Sequence, residues 1–399
     1  MPATVNPFAD NHRPGNTQPV EIRTARPADV DQVEQLVVAR MDPSDGVDAR
    51  LLMTDRDAGC DWVLVAADGD RIVSTAALMD ETLTLAGVDI PAGQVELVAT
   101  DTEYEGRGLV RQLMGRAHEI SADRGHLVQV MIGIPYFYRQ FGYSYSIPVK
   151  QTRPLATKPD LVAGHALRRA TEADIPLLDR LHADVQRGAD LRMGHTEPCW
   201  RWLLNRTGST TWVVERDGTP VATGRATPPE EGDVVLGEVA GVDDDAVKAL
   251  LHLVGPAEVV ERLPVLEEFL EPRRPGVEQY LVRIPDVPRL FEHLRPVFTA
   301  RLRGREPADV LLGFYRTHVR FRWDGAEIGP YEWGGVLPGP GEQGGAGIAP
   351  DLLAPLLFGA HGMDGLRRWH ADVYPGPDDD LMTALFPPVT SDLMTYYLP

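Results

Sequence analysis

Two cysteines in 399 residues, Cys60 and Cys199, are too few and too far apart to staple a fold or to fill a zinc site. No stretch approaches the roughly 18 uninterrupted apolar residues that a membrane-spanning helix needs. The opening Met1–Val20 is polar and Pro-bearing with no apolar core, so it reads as a disordered tail and not as a secretory leader. Positive charge is in deficit: 39 Lys and Arg face 59 Asp and Glu, a formal net charge of −20. Such a surface repels nucleic acid and anionic lipid. It suits a small cationic ligand, although it equally serves solubility. The expectations that follow are a cytoplasmic protein with no metal, no nucleic acid and no membrane partner.

The length calls for two or three domains, and a 43% hydrophobic content is enough to give each a core. The chain opens with a strand at Glu21–Thr24 and a helix from about Asp29, with Val30, Val33, Leu36 and Val37 on one face. Asp68-Gly69 joins strands at Trp62–Ala67 and Arg71–Met79 as a hairpin. Further strands are expected at Leu83–Ile90 and Val95–Thr100. Directly after the latter comes Glu105-Gly106-Arg107-Gly108-Leu109-Val110-Arg111, then a helix whose apolar face is Leu109, Leu113, Ala117 and Ile120. A strand, a Gly-rich turn and a helix in that order aim backbone N–H groups at an anion. A second apolar run, Leu127–Ile132, leads into Tyr136-Phe137-Tyr138-Arg139-Gln140-Phe141-Gly142-Tyr143.

After a Pro-bearing connector, Ala166-Leu167-Arg168-Arg169-Ala170-Thr171-Glu172-Ala173-Asp174-Ile175 echoes Glu21-Ile22-Arg23-Thr24-Ala25-Arg26-Pro27-Ala28-Asp29-Val30, and Trp212–Gly218 echoes Trp62–Gly69. An internal duplication is the economical reading. The copy places Asp243, Asp244 and Asp245 where an anion-binding turn would stand. From Val287 onward an α+β unit is expected. Its helix carries Leu290, Phe291, Leu294 and Phe298, its strand alternates over Thr317–Trp323, its loop is Gly334–Gly347, further helical stretches fall at Leu352–Phe358 and Leu366–His370, and Leu381–Phe386 begins the C-terminal stretch.

The turn at Glu105–Arg111 and the segment Tyr138–Tyr143, in this order and spacing, resemble the GNAT superfamily of acyl-coenzyme A-dependent N-acyltransferases. The order and length of the whole chain resemble its enhanced intracellular survival (Eis) branch. That resemblance implies a tail at residues 1–19, a catalytic GNAT domain at 20–152, a degenerate GNAT-like domain at 153–286 and a sterol-carrier-protein-like domain at 287–399. The fold class is thus α/β and α+β, with two tandem mixed-sheet domains and an α+β tail domain. It also implies acetyl-CoA as co-substrate, a primary amine of an aminoglycoside-like or polyamine acceptor, and a homo-hexamer. Glu105 departs from the family's Arg or Gln, and Val110 from its frequent Gly or Ala.

Carried over by position, Val98, Ala99 and Thr100 would run along the pantetheine. Gly106, Arg107, Gly108, Leu109, Val110 and Arg111 would cradle the diphosphate. Gly133 and Ile134 would line the thioester end, and Tyr138 would protonate the departing thiolate. Two bases are available: Glu96 on the strand, and the terminal carboxylate of Pro399, the branch's own device. A non-catalytic CoA-binding scaffold or sensor, and a tailoring acyltransferase using a different acyl-CoA, remain open alternatives. His118, His126, Arg320 and Arg322 read as surface groups, Trp200, Trp202 and Trp212 as core, and His195, Glu197 and Cys199 lack a fourth ligand.

Overall fold

The computed structural model describes residues 20–229, 233–276, 278–394 and 396. The first sheet starts from β1 (Glu21–Thr24), β2 (Val63–Asp68), β3 (Arg71–Leu85), β4 (Val88–Thr100), β5 (Val128–Met131) and β6 (Ser144–Pro148). Helices α1 (Val30–Arg40) and α2 (Pro43–Thr54) precede β2, and α3 (Leu109–Asp123) joins β4 to β5. The sequence reading did not foresee α2. It is signalled by Asp42, whose side chain accepts from Ser44 N–H, followed by Pro43 at the first helical position. Nor is Leu83–Ile90 one strand. Ala86 and Gly87 both take positive φ, 48° and 86°, and fold the chain into a tight hairpin between β3 and β4.

The chain then leaves to build a second sheet from β7 (Thr152–Pro154), β8 (His165–Arg169), β10 (Thr210–Arg216), β11 (Thr219–Ala226), β12 (Val235–Gly241) and β13 (Glu258–Val260), in spatial order β7-β13-β12-β11-β10-β8. Here the duplication takes physical form. Arg168 grips Asp174 through two hydrogen bonds of 2.8 Å, as Arg23 grips Asp29 at 2.7 and 3.0 Å. The register breaks between Thr223 and Arg225 with Glu238 at φ 50°, as it breaks between Thr75 and Ala77 with Leu97 at φ 51°.

A strand within the residues assigned to this second unit belongs elsewhere. β14 (Gln279–Arg283) returns to the first sheet and inserts between β5 and β6, antiparallel to both. The second unit is therefore an insertion within the first sheet, and the boundary at residue 286 falls after a strand that completes the N-terminal domain. The short β9 (Leu191–Met193) also crosses over, pairing with β3 at Leu83–Leu85. Within the second unit lie α4 (Ile175–Gln186), α5 (Glu197–Asn205) and α6 (Asp244–Val254).

The third unit carries α7 (Val287–His293) and α8 (Arg295–Leu302), two helices where the spacing suggested one, because Pro296 follows the break at Leu294. Its sheet runs β17 (Glu332–Gly334), β16 (His318–Trp323), β15 (Ala308–Gly313), β18 (Ala346–Ile348), β19 (Val373–Tyr374). The alternation over β16 is as expected, with Val319, Phe321 and Trp323 buried. The helix expected at Leu366–His370 ends instead at Leu366, having started at Gly362. The last strand, β20 (Ser391–Leu393), pairs with β9, so the end of the chain joins the edge of the first sheet. One apolar core runs from Leu83, Ile90, Val130 and Tyr280 of the first sheet into Phe291, Phe298, Trp323 and Phe358 of the third unit.

Candidate active site

Strands β4 and β5 are paired, in parallel, only over Ala92–Gln94 against Val128–Val130. Beyond Gln94 they part, and the edge of β4 along Val98–Thr100 is left open to a groove of about 580 Å³. The register break at Leu97 and Val98 turns that edge outward, at the expense of a non-glycine residue in the left-handed region. Gly106 and Gly108 at the groove's rim take φ 73° and 74°, and a Cβ on either would meet nothing within 4 Å. The space is open on the side where a ligand must approach. Gly108 is the N-cap of α3, whose first N–H groups have no side-chain cap. They are free for an anion.

Of the residues named from sequence, Val98, Ala99, Thr100, Gly106, Gly108 and Leu109 line this groove, as do Val110, Arg111, Ile134 and Tyr138. Arg107 does not: it lies over the Tyr104 ring at 4.3 Å and donates to the carbonyl of Glu103. Gly133 lies behind Tyr138, whose ring passes 2.5 Å from where a Cβ would stand. Sequence reasoning missed Tyr104 at the groove and, from α1, Arg40. It forms an ion pair with Glu105, so the anomalous carboxylate at the cradle meets the ligand already neutralised. Nothing local links residues 65 positions apart, which is why the pair was invisible.

At the closed end of the groove Tyr138 is buried among Phe137, Phe141 and Tyr143. Burial first, and the charge of nearby Glu96 second, push its hydroxyl up to about 12, so it stays protonated. The segment that carries it is a short 3-10 turn, Phe137–Phe141. Glu96 is 6% exposed and accepts from Gln94 Nε2 at 2.6 Å. Burial raises it to about 8, with Asp45 adding to the rise and Arg206 opposing it. It is not among the residues that line the groove, and sequence reasoning did not foresee so deep a desolvation.

The comparisons with known proteins bear on this geometry. Residues 21–146 match the family model described as an acetyltransferase (GNAT) domain. Over those residues the chain carries a GNAT acetyltransferase domain. No curated protein matches the chain. Among solved structures, a GCN5-related N-acetyltransferase from Kribbella flavida is 18% identical with a TM-score of 0.66, covering 95% of this chain and 100% of its own. A probable N-acyltransferase from Enterococcus faecalis V583 is 13% identical with a TM-score of 0.68 over 95% and 99%. Eis1 from Mycobacterium abscessus is 16% identical with a TM-score of 0.62 over 95% and 100%. At these identities the likeness is one of fold, and it extends over all three units.

On the far side of Glu96 the GNAT domain meets the second unit and the end of the chain. Asp48 of α2 holds Arg206 at 2.6 Å, and burial lifts Asp48 to about 6 even against that partner. Arg206 and Arg225 both donate to the carbonyl of Tyr396, at 2.5 and 2.9 Å. The Tyr396 ring lies between His195 and Trp202, and its hydroxyl meets Cys199 Sγ at 3.4 Å. Tyr396 is thus clamped beside the carboxylates of the GNAT domain, while Pro399 lies outside the described residues. His195 pairs with Glu238, Glu197 with Arg201, and Cys199 faces Thr196 and Glu81. The three point to different partners, and no metal-holding cluster occurs among the described residues.

The second unit keeps the break in its strands, and beside that break Arg225 bonds Glu238 twice at 3.0 Å. The N-terminus of α6, which corresponds to α3, is capped by Asp243 accepting from Ala246 N–H, and Asp243 is itself paired with Arg216. A carboxylate occupies the place of a diphosphate.

Proposed function

We propose that this chain is an N-acetyltransferase that moves the acetyl group of acetyl-CoA directly to a primary amine of a small cationic acceptor, aminoglycoside-like or polyamine, at the single groove of its first domain. The observation that carries the reading is the convergence of an uncapped helix N-terminus, an open strand edge and a buried, protonated tyrosine on one groove. Residues and space fit a diphosphate-bearing thioester. The co-substrate supplies the activated acyl group, and the rest falls to the chain.

Gly106, Gly108 and the first turn of α3 bind the diphosphate, with Arg111 lending charge. Val98–Thr100 present backbone groups to the pantetheine amides, and an N–H at the Val98 bulge steadies the oxyanion. Tyr138 gives its proton to the departing thiolate. An alkylamine with a pKa near ~10 arrives charged and has to lose a proton before attack. Glu96, held near 8 by burial, is the base of this reading. The net charge of −20 draws the cationic acceptor toward the protein. The terminal carboxylate of Pro399 is the rival base, and amidating or extending the C-terminus decides between them. The second unit, with Arg206 and Arg225 on the Tyr396 carbonyl, serves as a wall and a clamp. A cytoplasmic location and a hexameric assembly are part of the same proposal.

The test is thiol release from acetyl-CoA in the presence of an amine panel, for the native chain and Tyr138→Phe. Turnover with polyamines or aminoglycosides, lost in the variant while CoA binding persists, is the expected result. Tight CoA binding with no turnover across the panel would replace the enzyme with a CoA-binding scaffold. Turnover with longer acyl donors alone would replace it with a tailoring acyltransferase.

A further inference from the structure

A second and larger cavity, about 1040 Å³, lies on the other side of the Phe137–Phe141 turn, between the first sheet and the third unit. Its charge runs against the rest of the molecule. In a chain of net charge −20, three arginines line it, Arg139, Arg283 and Arg316, against one carboxylate, Asp351. That carboxylate reaches only Arg139, at 3.8 Å. Arg283, half-buried on β14, gives its Nη1–H to the neutral amide oxygen of Gln129 at 2.7 Å. Neither it nor Arg316 has an ion-pair partner among the described residues. For half-buried Arg283, a guanidinium partly removed from water without an anion is costly, and an anion that enters recovers that cost.

The walls are apolar and aromatic where the arginines are not: Phe137, Ile284, Val287 and Phe314. Phe137 and Gln140 line both this cavity and the co-substrate groove, and Gln140 Oε1 accepts from Arg111 of the cradle at 2.7 Å. The turn is a partition, with Tyr138 on one face and Arg139 on the other.

We propose that this cavity binds a phosphate monoester carried on an aromatic body, held by Arg139, Arg283 and Arg316, and that its occupant braces the turn bearing Tyr138. Planar, forked guanidinium groups match phosphate oxygens in pairs, and three of them against a single carboxylate match a dianion. Two sources present this chemistry: the 3′-phosphoadenosine end of a co-substrate already seated in the groove, or a separate nucleotide. The first of these rests on the function proposed above; the site itself does not.

The probe is adenosine 3′,5′-bisphosphate, titrated calorimetrically into the full chain, native and with Arg316→Gln, an exposed position where folding is not at stake. Binding to the native chain that weakens about tenfold or more in Arg316→Gln is expected, with a similar loss in Arg283→Gln. CoA and dephospho-CoA are then compared on both proteins. A native preference for CoA that Arg316→Gln abolishes assigns the site to the co-substrate's own phosphate. An unchanged preference, with bisphosphate binding still lost, assigns it to a separate nucleotide. No bisphosphate binding, or equal binding to all three proteins, overturns the proposal. Because no acceptor or turnover is involved, an inactive protein that still binds the bisphosphate separates this inference from the catalytic one.

Discussion

Replacing Glu96 by Gln should make the protein more stable and less active, and the size of the gain follows from its burial. The unfolded chain releases this proton near the ordinary glutamate value of 4.5, whereas the folded chain holds it up to about 8. Between those values the native state binds more protons than the unfolded state, so stability falls as pH rises through the window. At ~1.4 kcal/mol per pH unit, ionisation of the unfolded chain at pH 7 leaves the native state disfavoured by about 3 kcal/mol. Glutamine has nearly the same shape, keeps the acceptor for Gln94 Nε2 and does not titrate. The variant should therefore unfold some 5–10 °C higher at pH 7 for the transition that includes the first domain, and nearly with the native chain at pH 4.5. Scanning calorimetry at the two pH values measures it. Meanwhile thiol release should fall by roughly 10²–10⁴ and lose the rising limb near pH 8 that the native enzyme shows. Equal unfolding temperatures at both pH values would refute the desolvation argument. A stabilised variant with full activity would refute Glu96 as the base and leave the terminal carboxylate.

Tyr138→Phe should lower kcat by roughly 10²-fold or more with unchanged circular dichroism, since the ring and its packing stay in place. Gly133→Ala should reproduce much of that loss without touching the hydroxyl, because the added methyl would stand 2.5 Å from the Tyr138 ring and displace it; a normal kcat would mean that Tyr138's position is not critical. Arg40→Ala should raise KM for acetyl-CoA by about 5–10-fold by exposing the charge of Glu105 to the diphosphate, and Glu105→Gln in the same chain should restore it. Gly108→Ala should weaken CoA binding and cost about 1 kcal/mol of stability, from a left-handed N-cap in which alanine is strained, as titration and thermal melts would show.

Whatever depends on neighbours in the chain could be read in advance. Asp68-Gly69 announces its hairpin, the spacing of Leu109, Leu113 and Ala117 announces α3, and Gly106 with Gly108 announces the cradle, because turns and helical faces are set over a few residues. The repeated Arg23–Asp29 and Arg168–Asp174 pairs were legible as an echo for the same reason. Boundaries failed where a distant partner decides. Ala86-Gly87 is a weak turn signal, and the β3–β4 hairpin rests on the long pairing beyond it.

The sequence by itself determined the chemistry at hand: a cradle, a tyrosine, a carboxylate and an acidic surface. Tertiary structure alone decided what those groups are worth. It inserted β14 between β5 and β6 and so made the second unit an insertion, paired Arg40 with Glu105 across 65 residues, and buried Glu96 until its proton is held to about 8. It also carried Tyr396 from the end of the chain to a clamp of two arginines beside that carboxylate. Strand order, desolvation and charge pairing depend on which segments meet in space, and no local pattern in this chain encodes that meeting.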